Sequence, residues 1–509
     1  MNFRLTKGNF LKTGAYIEGD SAVFTFAAEK EDECSIVLLD KSGNTACVID
    51  IPAEYSTGSL YSVRLHGFCG NEYAYYFRIN GKRCIDPYAT RIFGREKWND
   101  KTRSDNDYEI ACGIDSSDFD WKYDSFPEIT RDRMKLYKLH VRGFSMDVSG
   151  NKKHKGTFEA VSDRINYIKK LGFTSILLMP VYEFEEMTIP VKHDIPEYAK
   201  PKYSLKDEQS VHTENDKVNF WGYTSGNYFA VKASYASDAS DASNELRRLV
   251  ERLHKNGMEC IVEMYFPDRT DHNLILDALR YWVMSFHVDG FKLLGDRLPV
   301  TAIVQDALLS RTKILYDGFD MSVVPQNRTY ENLYIDKEEY QFAARMMLNH
   351  INCNMYELLN QQKKQGENVG FINYISSNNG FTLSDLFMYN DRHNEANGEK
   401  NADGPSWNFS NNYGCEGPSR KRFIREIRKL KWKDAMLLLF LAQGVPMIMA
   451  GDEICNSQDG NNNAYCQDNP TGWVNWSNEH SRRENIRFLT RIIKFRDEHP
   501  VISCPKPFK

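Results

Sequence analysis

The chain is 509 residues long, 41% hydrophobic and 27% charged, with a formal net charge of -5 at pH 7. That length exceeds a single hydrophobic core and predicts two or three domains, while so small a charge excludes an electrostatic argument for nucleic acid or an anionic membrane as partner. Eleven cysteines, an odd number without Cys-x-x-Cys metal spacing, suit a reducing compartment and place the protein in the cytoplasm.

The amino end, Met1-Asn-Phe-Arg-Leu-Thr-Lys-Gly8, has no apolar run of secretory-signal length. From about residue 13 to about residue 95 short alternating runs predict strands: Ala22-Val-Phe-Thr-Phe-Ala27, Cys34-Ser-Ile-Val-Leu-Leu39 and Tyr73-Ala-Tyr-Tyr-Phe-Arg-Ile79. Turn signals at Ser42-Gly43-Asn44 and Asn80-Gly81 separate them, so residues 1–105 are expected to form a β-sandwich. A polar, Asp-rich linker over 106–130 leads to a second domain, 131–509.

That domain opens on a strand over Leu136–Val141. A helix over Phe158–Leu171 follows, with Phe158, Val161, Ile165, Ile168 and Leu171 on its buried face and Gly172 as its stop. A continuous apolar run follows at Ser175–Met179, and the strand, helix, strand order repeats at Glu259–Phe266, Gly290–Leu293, Lys313–Tyr316, Leu333–Ile335, Phe371–Ile375 and Val445–Ala450. Eight strands alternating with helices predict an α/β fold, a (β/α)8 TIM barrel. A helix over Asn273–Phe286 buries Leu276, Leu279, Tyr281, Trp282 and Val283 in this reading, and 182–245 is an inserted loop region. The most apolar stretch, Met436 to Ala450, is broken by Gln443, Gly444 and Pro446 and reads as a buried helix running into the last strand.

Several segments carry a resemblance. His287-Val-Asp-Gly-Phe-Lys-Leu-Leu-Gly-Asp296 follows the fourth-strand pattern Asp-Gly-Phe-Arg-Phe-Asp of the α-amylase superfamily, glycoside hydrolase family 13. The runs Phe381 to Glu399, Ala450-Gly-Asp-Glu-Ile454 and Gln458 to Asn469 resemble its pullulanase, isoamylase and glycogen-debranching members over tens of residues. The resemblance covers about residues 13 to 500. The amino-terminal sandwich, closed by Asp86-Pro-Tyr-Ala89, resembles a family-48 carbohydrate-binding module. Family members usually continue into a carboxy-terminal β domain; the sequence ends at Lys509, so the expectation is either that this domain is missing or that the chain is a fragment.

Retaining glycosidases need two carboxyl groups about 5 Å apart, one as nucleophile and one as acid/base. Laid on the family patterns, the nucleophile position holds Leu294 and the neighbouring arginine position holds Lys292. The acid/base position falls in Tyr316-Asp-Gly-Phe-Asp320, with Asp317 in the place of a glutamate; losing a methylene retracts the acid by about 1 Å, worth about a hundredfold in rate. The third carboxylate and its preceding histidine become Asn379 and Asn378, and the third-strand pattern becomes Glu263-Met-Tyr-Phe-Pro-Asp268. No catalytic residue is therefore expected to be intact, unless Asp296, two residues beyond Leu294, presents a carboxylate by a shift of register. Lys292 is expected to pair with Glu263 or Asp317.

Asn219-Phe-Trp-Gly-Tyr-Thr-Ser-Gly-Asn-Tyr228 resembles the segment whose aromatic after Trp-Gly stacks on the sugar at the cleavage site, here Tyr223. Trp221 and Tyr223 are sugar platforms or loop anchors, and Phe381 a contact or a packing residue. The resemblance thus implies substrate-binding residues Trp221, Tyr223, Lys292, Asn378, Asn379 and Phe381. No cofactor is expected. No metal is expected either, since Asp385, Asp391, Glu395 and Glu399 match no calcium loop. Cys466 reads as a buried thiol.

Two functions follow from this reading. One is a noncatalytic, α-glucan-binding relative of debranching enzymes, whose partners are glycogen, starch or maltodextrin and an active debranching-enzyme subunit, with neither nucleic acid nor membrane. The alternative is an active hydrolase cleaving α-1,6 or α-1,4 glucosidic bonds.

Overall fold

The computed structural model describes residues 3–68, 72–102, 110–115, 118–148, 154–187, 217–320, 322, 331–352, 354–366 and 368–504. The chain forms two compact units: Met1–Trp121 with Tyr182–Glu185 and Ser225–Arg247, and Lys122–Val181 with Glu186–Thr224 and Arg248–Lys509.

The first unit is a two-sheet antiparallel sandwich. One sheet runs in the order Arg4–Lys7, Leu60–His66, Ser21–Ala27, Gly14–Glu18, and the other Arg91–Phe93, Ala111–Gly113, Ala74–Ile79, Cys34–Leu39, Thr45–Asp50. Period-two alternation turns Phe24 and Phe26 from one sheet, and Ile36, Leu38, Tyr75 and Phe77 from the other, into one core. There Phe26 stacks on Phe77 at 4.1 Å and Phe24 meets Tyr75 edge-on at 5.0 Å. Asn80 and Gly81 both take positive φ, 48° and 76°, as the two-residue turn between Ala74–Ile79 and Lys82–Cys84 requires. Asp86 is buried and accepts from Tyr75 Oη at 2.7 Å and Tyr88 N at 2.8 Å; burial pushes its carboxyl up to about 6. The stretch 106–130, read as a linker, contributes the strand Ala111–Gly113 to this sandwich. Of the inserted region, Tyr182–Phe184 pairs with Gly226–Val231, and Glu183 holds buried Lys232 at 2.7 Å; residues 188–216 of that region lie outside the described ones.

The second unit is a closed parallel barrel of eight strands: Leu136–Leu139, Ser175–Leu178, Glu259–Tyr265, Gly290–Leu294, Lys313–Leu315, Leu333–Asp336, Gly370–Asn373 and Val445–Met449. These are the eight predicted strands. Their shared interior holds Leu136, Leu177, Ile261, Leu315, Tyr334, Ile372 and Val445.

The helix Phe158–Leu171 is capped by Thr157, whose Oγ1 accepts from Ala160 N, and ends at Gly172 with φ 108°. A Cβ at Gly172 would lie 2.4 Å from Ile493 Cγ2, so glycine is required there by both conformation and space. The helix His272–Phe286 departs from its predicted face. Ile275, Ala278, Leu279, Trp282 and Phe286 are buried, while Leu276, Tyr281 and Val283 sit at the edge of the stripe, which is centred one position away from the predicted one. As expected, Met436 to Ala450 is the end of the helix Arg422–Phe440 followed by the last strand.

Candidate functional site at the barrel mouth

In a parallel barrel all strands end on one face, and the residues just beyond the interior core line its mouth. Counting two residues on from a core position finds them here. Leu136 leads to Lys138, Ile261 to Glu263 and Tyr334 to Asp336, while Gly290 leads to Lys292 and then Leu294. Glu263 and Lys292 are direct neighbours across the third and fourth strands, as are Tyr265 and Leu294.

These residues form one ionic network. Lys138 Nζ lies 2.6 Å from Glu263 Oε1 and donates to Asn378 Oδ1 at 2.7 Å. Tyr223 Oη donates to Glu263 Oε2 at 2.5 Å and accepts from Lys138 Nζ at 3.4 Å. Lys292 Nζ donates to Asp336 Oδ2, and Asp336 N donates to Asp317 Oδ1 at 3.2 Å. Burial alone would lower Lys292, but the charges of Asp336, Glu263 and Asp317 outweigh it and hold the ammonium well above the ordinary lysine range. Lys138 goes the other way: burial lowers it, Glu263 opposes that, and the charge of Lys292 adds to it.

The structure corrects several expectations. Lys292 pairs with Asp336, not with Glu263 or Asp317, because Glu263 is already held by Lys138 and Tyr223. Asp336 and Lys138 were missed by motif reading, although their two-residue offset from core positions marks them as mouth residues. Phe381 is 0% exposed and tilted against Tyr389 at 6.2 Å, so its ring is packed inside the fold. Trp221 and Tyr223 are 3% and 6% exposed, so neither offers an open stacking face. Trp221 meets Tyr223 and Tyr465 edge-on, at 6.0 and 6.5 Å, and Tyr223 enters the site through its hydroxyl.

Of the remaining expected residues, Leu294 ends the fourth strand half-buried, Asn378 is half-buried on Lys138, and Asn379 and Asp317 are exposed. Asp296 is exposed beyond Gly295, whose φ of 140° turns the chain where a Cβ would lie 2.3 Å from Phe266 O.

Behind the mouth lies a buried amide network built from the Phe381–Glu399 and Gln458–Asn469 segments together with Asp403. Asn397 Nδ2 donates to Asp403 Oδ2 and Asn463 O, both at 2.8 Å, and Asn463 Nδ2 donates to the same Asp403 oxygen at 2.9 Å. Asn394 Nδ2 donates to Asn462 Oδ1 at 2.8 Å, and Asn461 Nδ2 and Gln467 Nε2 to Asn397 Oδ1 at 2.9 and 2.8 Å. The four acidic residues of this region are dispersed. Asp385 is buried on Ser457 and Gln458, Glu399 takes Lys217 and Tyr465, and Asp391 and Glu395 are exposed. Among the described residues no group of three or more His, Cys, Asp or Glu is placed to hold a metal ion. Cys466 is a half-buried thiol that burial pushes up to about 12.

At the first strand's end His140 is fixed as a neutral ring: Nε2 bonds to Phe220 O at 2.7 Å, so Nδ1 accepts from Gly143 N at 2.9 Å. Burial lowers this imidazole to about 4.

Comparison with known proteins agrees with this architecture. Residues 148–272 match the family model for the alpha amylase catalytic domain. Isoamylase 1, chloroplastic, of Arabidopsis thaliana is 28% identical over 86% of this chain, which spans 66% of that relative's length. The glycogen debranching enzyme of Enterobacter sp. (strain 638) is 27% identical over 98% of this chain and 86% of its own. Among solved structures, apo pullulanase from Paenibacillus barengoltzii superposes with a TM-score of 0.70 at 16% identity, covering 97% of this chain and 81% of that one. The catalytic module of the glycogen-degrading pneumococcal virulence factor SpuA gives 0.70 at 18%, over 98% and 83%; at such identities these two show the fold. With the barrel and its mouth in place, the chain has the fold of these pullulanase structures, carries a segment that matches the alpha amylase catalytic domain, and is similar along most of its length to isoamylases and glycogen-debranching enzymes.

Proposed function

We propose that this chain is an α-glucan-binding, catalytically degenerate member of the family, working in the cytoplasm as a targeting or regulatory subunit for an active debranching enzyme. The observation that carries the reading is the ionic network at the mouth. Leu294 and Asn379 replace two of the three family carboxylates, and the buried carboxylates nearby, Glu263 and Asp336, are each held by a lysine. A carboxylate whose charge is matched by an adjacent buried ammonium is a weak nucleophile and a poor proton donor, since the pairing stabilises its ionised, engaged form. Leucine has no lone pair to attack an anomeric carbon.

Glucan binding is supported by the polar groups that remain at the mouth. Asp336 Oδ1 is buried and has no hydrogen-bond partner, Asn379 is exposed, and an amide both donates and accepts. A sugar hydroxyl would satisfy Asp336 Oδ1, which otherwise costs about 1–3 kcal/mol as a buried, unmade acceptor. The amino-terminal sandwich, residues 1–105, is the second glucan-binding element in this reading. The names of the relatives, glycogen debranching enzyme among them, favour glycogen, starch or maltodextrin as the ligand class.

Reducing-end release from pullulan, glycogen and amylopectin tests the reading. No release above a buffer blank is expected. Turnover near one per second would establish the hydrolase instead.

A further inference from the structure

A second cavity lies at the other end of the barrel. Its lining includes Glu259 and Lys313, which open the third and fifth strands, and Asp289 and Asn332, which immediately precede the fourth and sixth. Because the strands are parallel, this is the amino-terminal face, and none of the lining residues belongs to the mouth network. The cavity holds about 740 Å³, within the range of small-molecule sites.

Its apolar wall includes Phe126, Ile129, Val288 and Leu308, of which Phe126 and Leu308 are 40% and 41% exposed and form an open rim. Most of its charges are matched within the protein. Lys313 lies 2.5 Å from Glu259, Asp289 is 2.9 Å from His254, and Arg311 is 2.9 Å from Glu128.

Arg131 is the least well matched of them. It is 4% exposed and donates through Nη1 to Gly366 O at 3.1 Å. Its ion-pair partner Glu331 stands 3.4 Å from Nη2 and is itself more than half exposed, the Tyr334 ring centroid lies 6.0 Å from the guanidinium, and neither Nε nor Nη2 makes a well-formed hydrogen bond. Gly370 makes room for this guanidinium, since a Cβ there would lie 3.0 Å from Nε. A buried donor left unmade is unfavourable, and a planar guanidinium matches the paired oxygens of a carboxylate or phosphate.

We infer that this cavity binds a small organic anion, its carboxylate or phosphate on Arg131 and its apolar body against Phe126, Ile129, Val288 and Leu308. The site is independent of the glucan reading and would operate in an active or an inactive barrel.

Calorimetric titration of the full chain with 4-methylbenzoate, phenyl phosphate and uncharged 4-methylbenzyl alcohol tests the inference and separates the two oxyanions. At least one anion is expected to bind saturably at millimolar concentration or below, at least tenfold more tightly than the alcohol. Arg131→Gln is expected to remove that discrimination. Ala307→Trp, a substitution at an exposed lining position that leaves Arg131 intact, is expected to block all three probes and decides the matter if Arg131→Gln fails to fold. The inference is overturned if neither anion binds up to about 10 mM, if a folded Arg131→Gln keeps the preference, or if Ala307→Trp binds like the native chain.

Discussion

Lys292 at the end of the fourth barrel strand closes an ion pair on Asp336 at the end of the sixth, with only 12% and 9% of the two side chains exposed. The fifth strand lies between them, so the pair bridges the end of that strand at the barrel mouth.

Breaking that pair from one side leaves a buried ammonium facing only Glu263, itself already held by Lys138, and the exposed Asp317. Asp336→Asn is therefore expected to destabilise the barrel by about 3 kcal/mol, whereas Lys292→Met combined with Asp336→Leu is expected to fall within about 1 kcal/mol of the native chain. Denaturant midpoints of Lys292→Met, Asp336→Leu and the double variant give the coupling directly. An Asp336→Asn variant as stable as the native chain would show that the pair is solvated.

His140 predicts an acid sensitivity with a definite sign. Its folded-state pKa, lowered to about 4, lies below the usual imidazole value of 6.5, so the stability it contributes is present above pH 6.5 and is lost as pH falls toward 4. Between pH 7 and pH 5 the loss amounts to about 2 kcal/mol. His140→Gln should show a smaller drop in denaturation midpoint over that interval, and an equal drop in both proteins would assign the acid sensitivity to other groups.

Gly172 combines a left-handed backbone with a crowded neighbour, since a methyl group placed on it would stand 2.4 Å from Ile493 Cγ2. Gly172→Ala is expected to destabilise by about 2–3 kcal/mol, part of it recovered by Ile493→Ala, because strain and overpacking add at this site. Thermal unfolding of the single and double variants checks it; additive losses would mean that the contact carries no strain.

The barrel was legible in the sequence because strands buried on both faces are largely continuous apolar runs, as at Ser175–Leu178 and Val445–Met449. The helix Phe158–Leu171 was legible to the residue, since Thr157 and Gly172 mark its ends. The mouth was legible only in part. Leu294 and Asn379 declare themselves by type at positions where a family pattern holds carboxylates. Asp336 and Lys138 belong to no such pattern and follow only from the two-residue period counted outward from Tyr334 and Leu136. Trp221, Tyr223 and Phe381 keep the residue types of a sugar platform, but type does not fix exposure, and tertiary packing buries all three rings.

The mouth network makes a further prediction about restoration. Leu294→Asp puts a carboxylate back at the nucleophile position, two residues along the strand from Lys292 and with Asn379 unchanged. Because residues of a glycosidase site act as a unit, this single change is expected to yield no measurable hydrolysis of pullulan. Appearance of reducing ends with Leu294→Asp alone would mean that Asp317 serves as a competent acid.

The central claim, binding without cleavage, is tested most directly by isothermal calorimetry of the full chain with a 6-branched maltodextrin. The account predicts saturable heats of binding that return to the baseline after every injection and leave the dextrin intact. Sustained thermal power proportional to protein concentration would contradict it by revealing turnover, and the absence of any heat or thermal shift at about 10 mM dextrin would contradict it by removing the glucan.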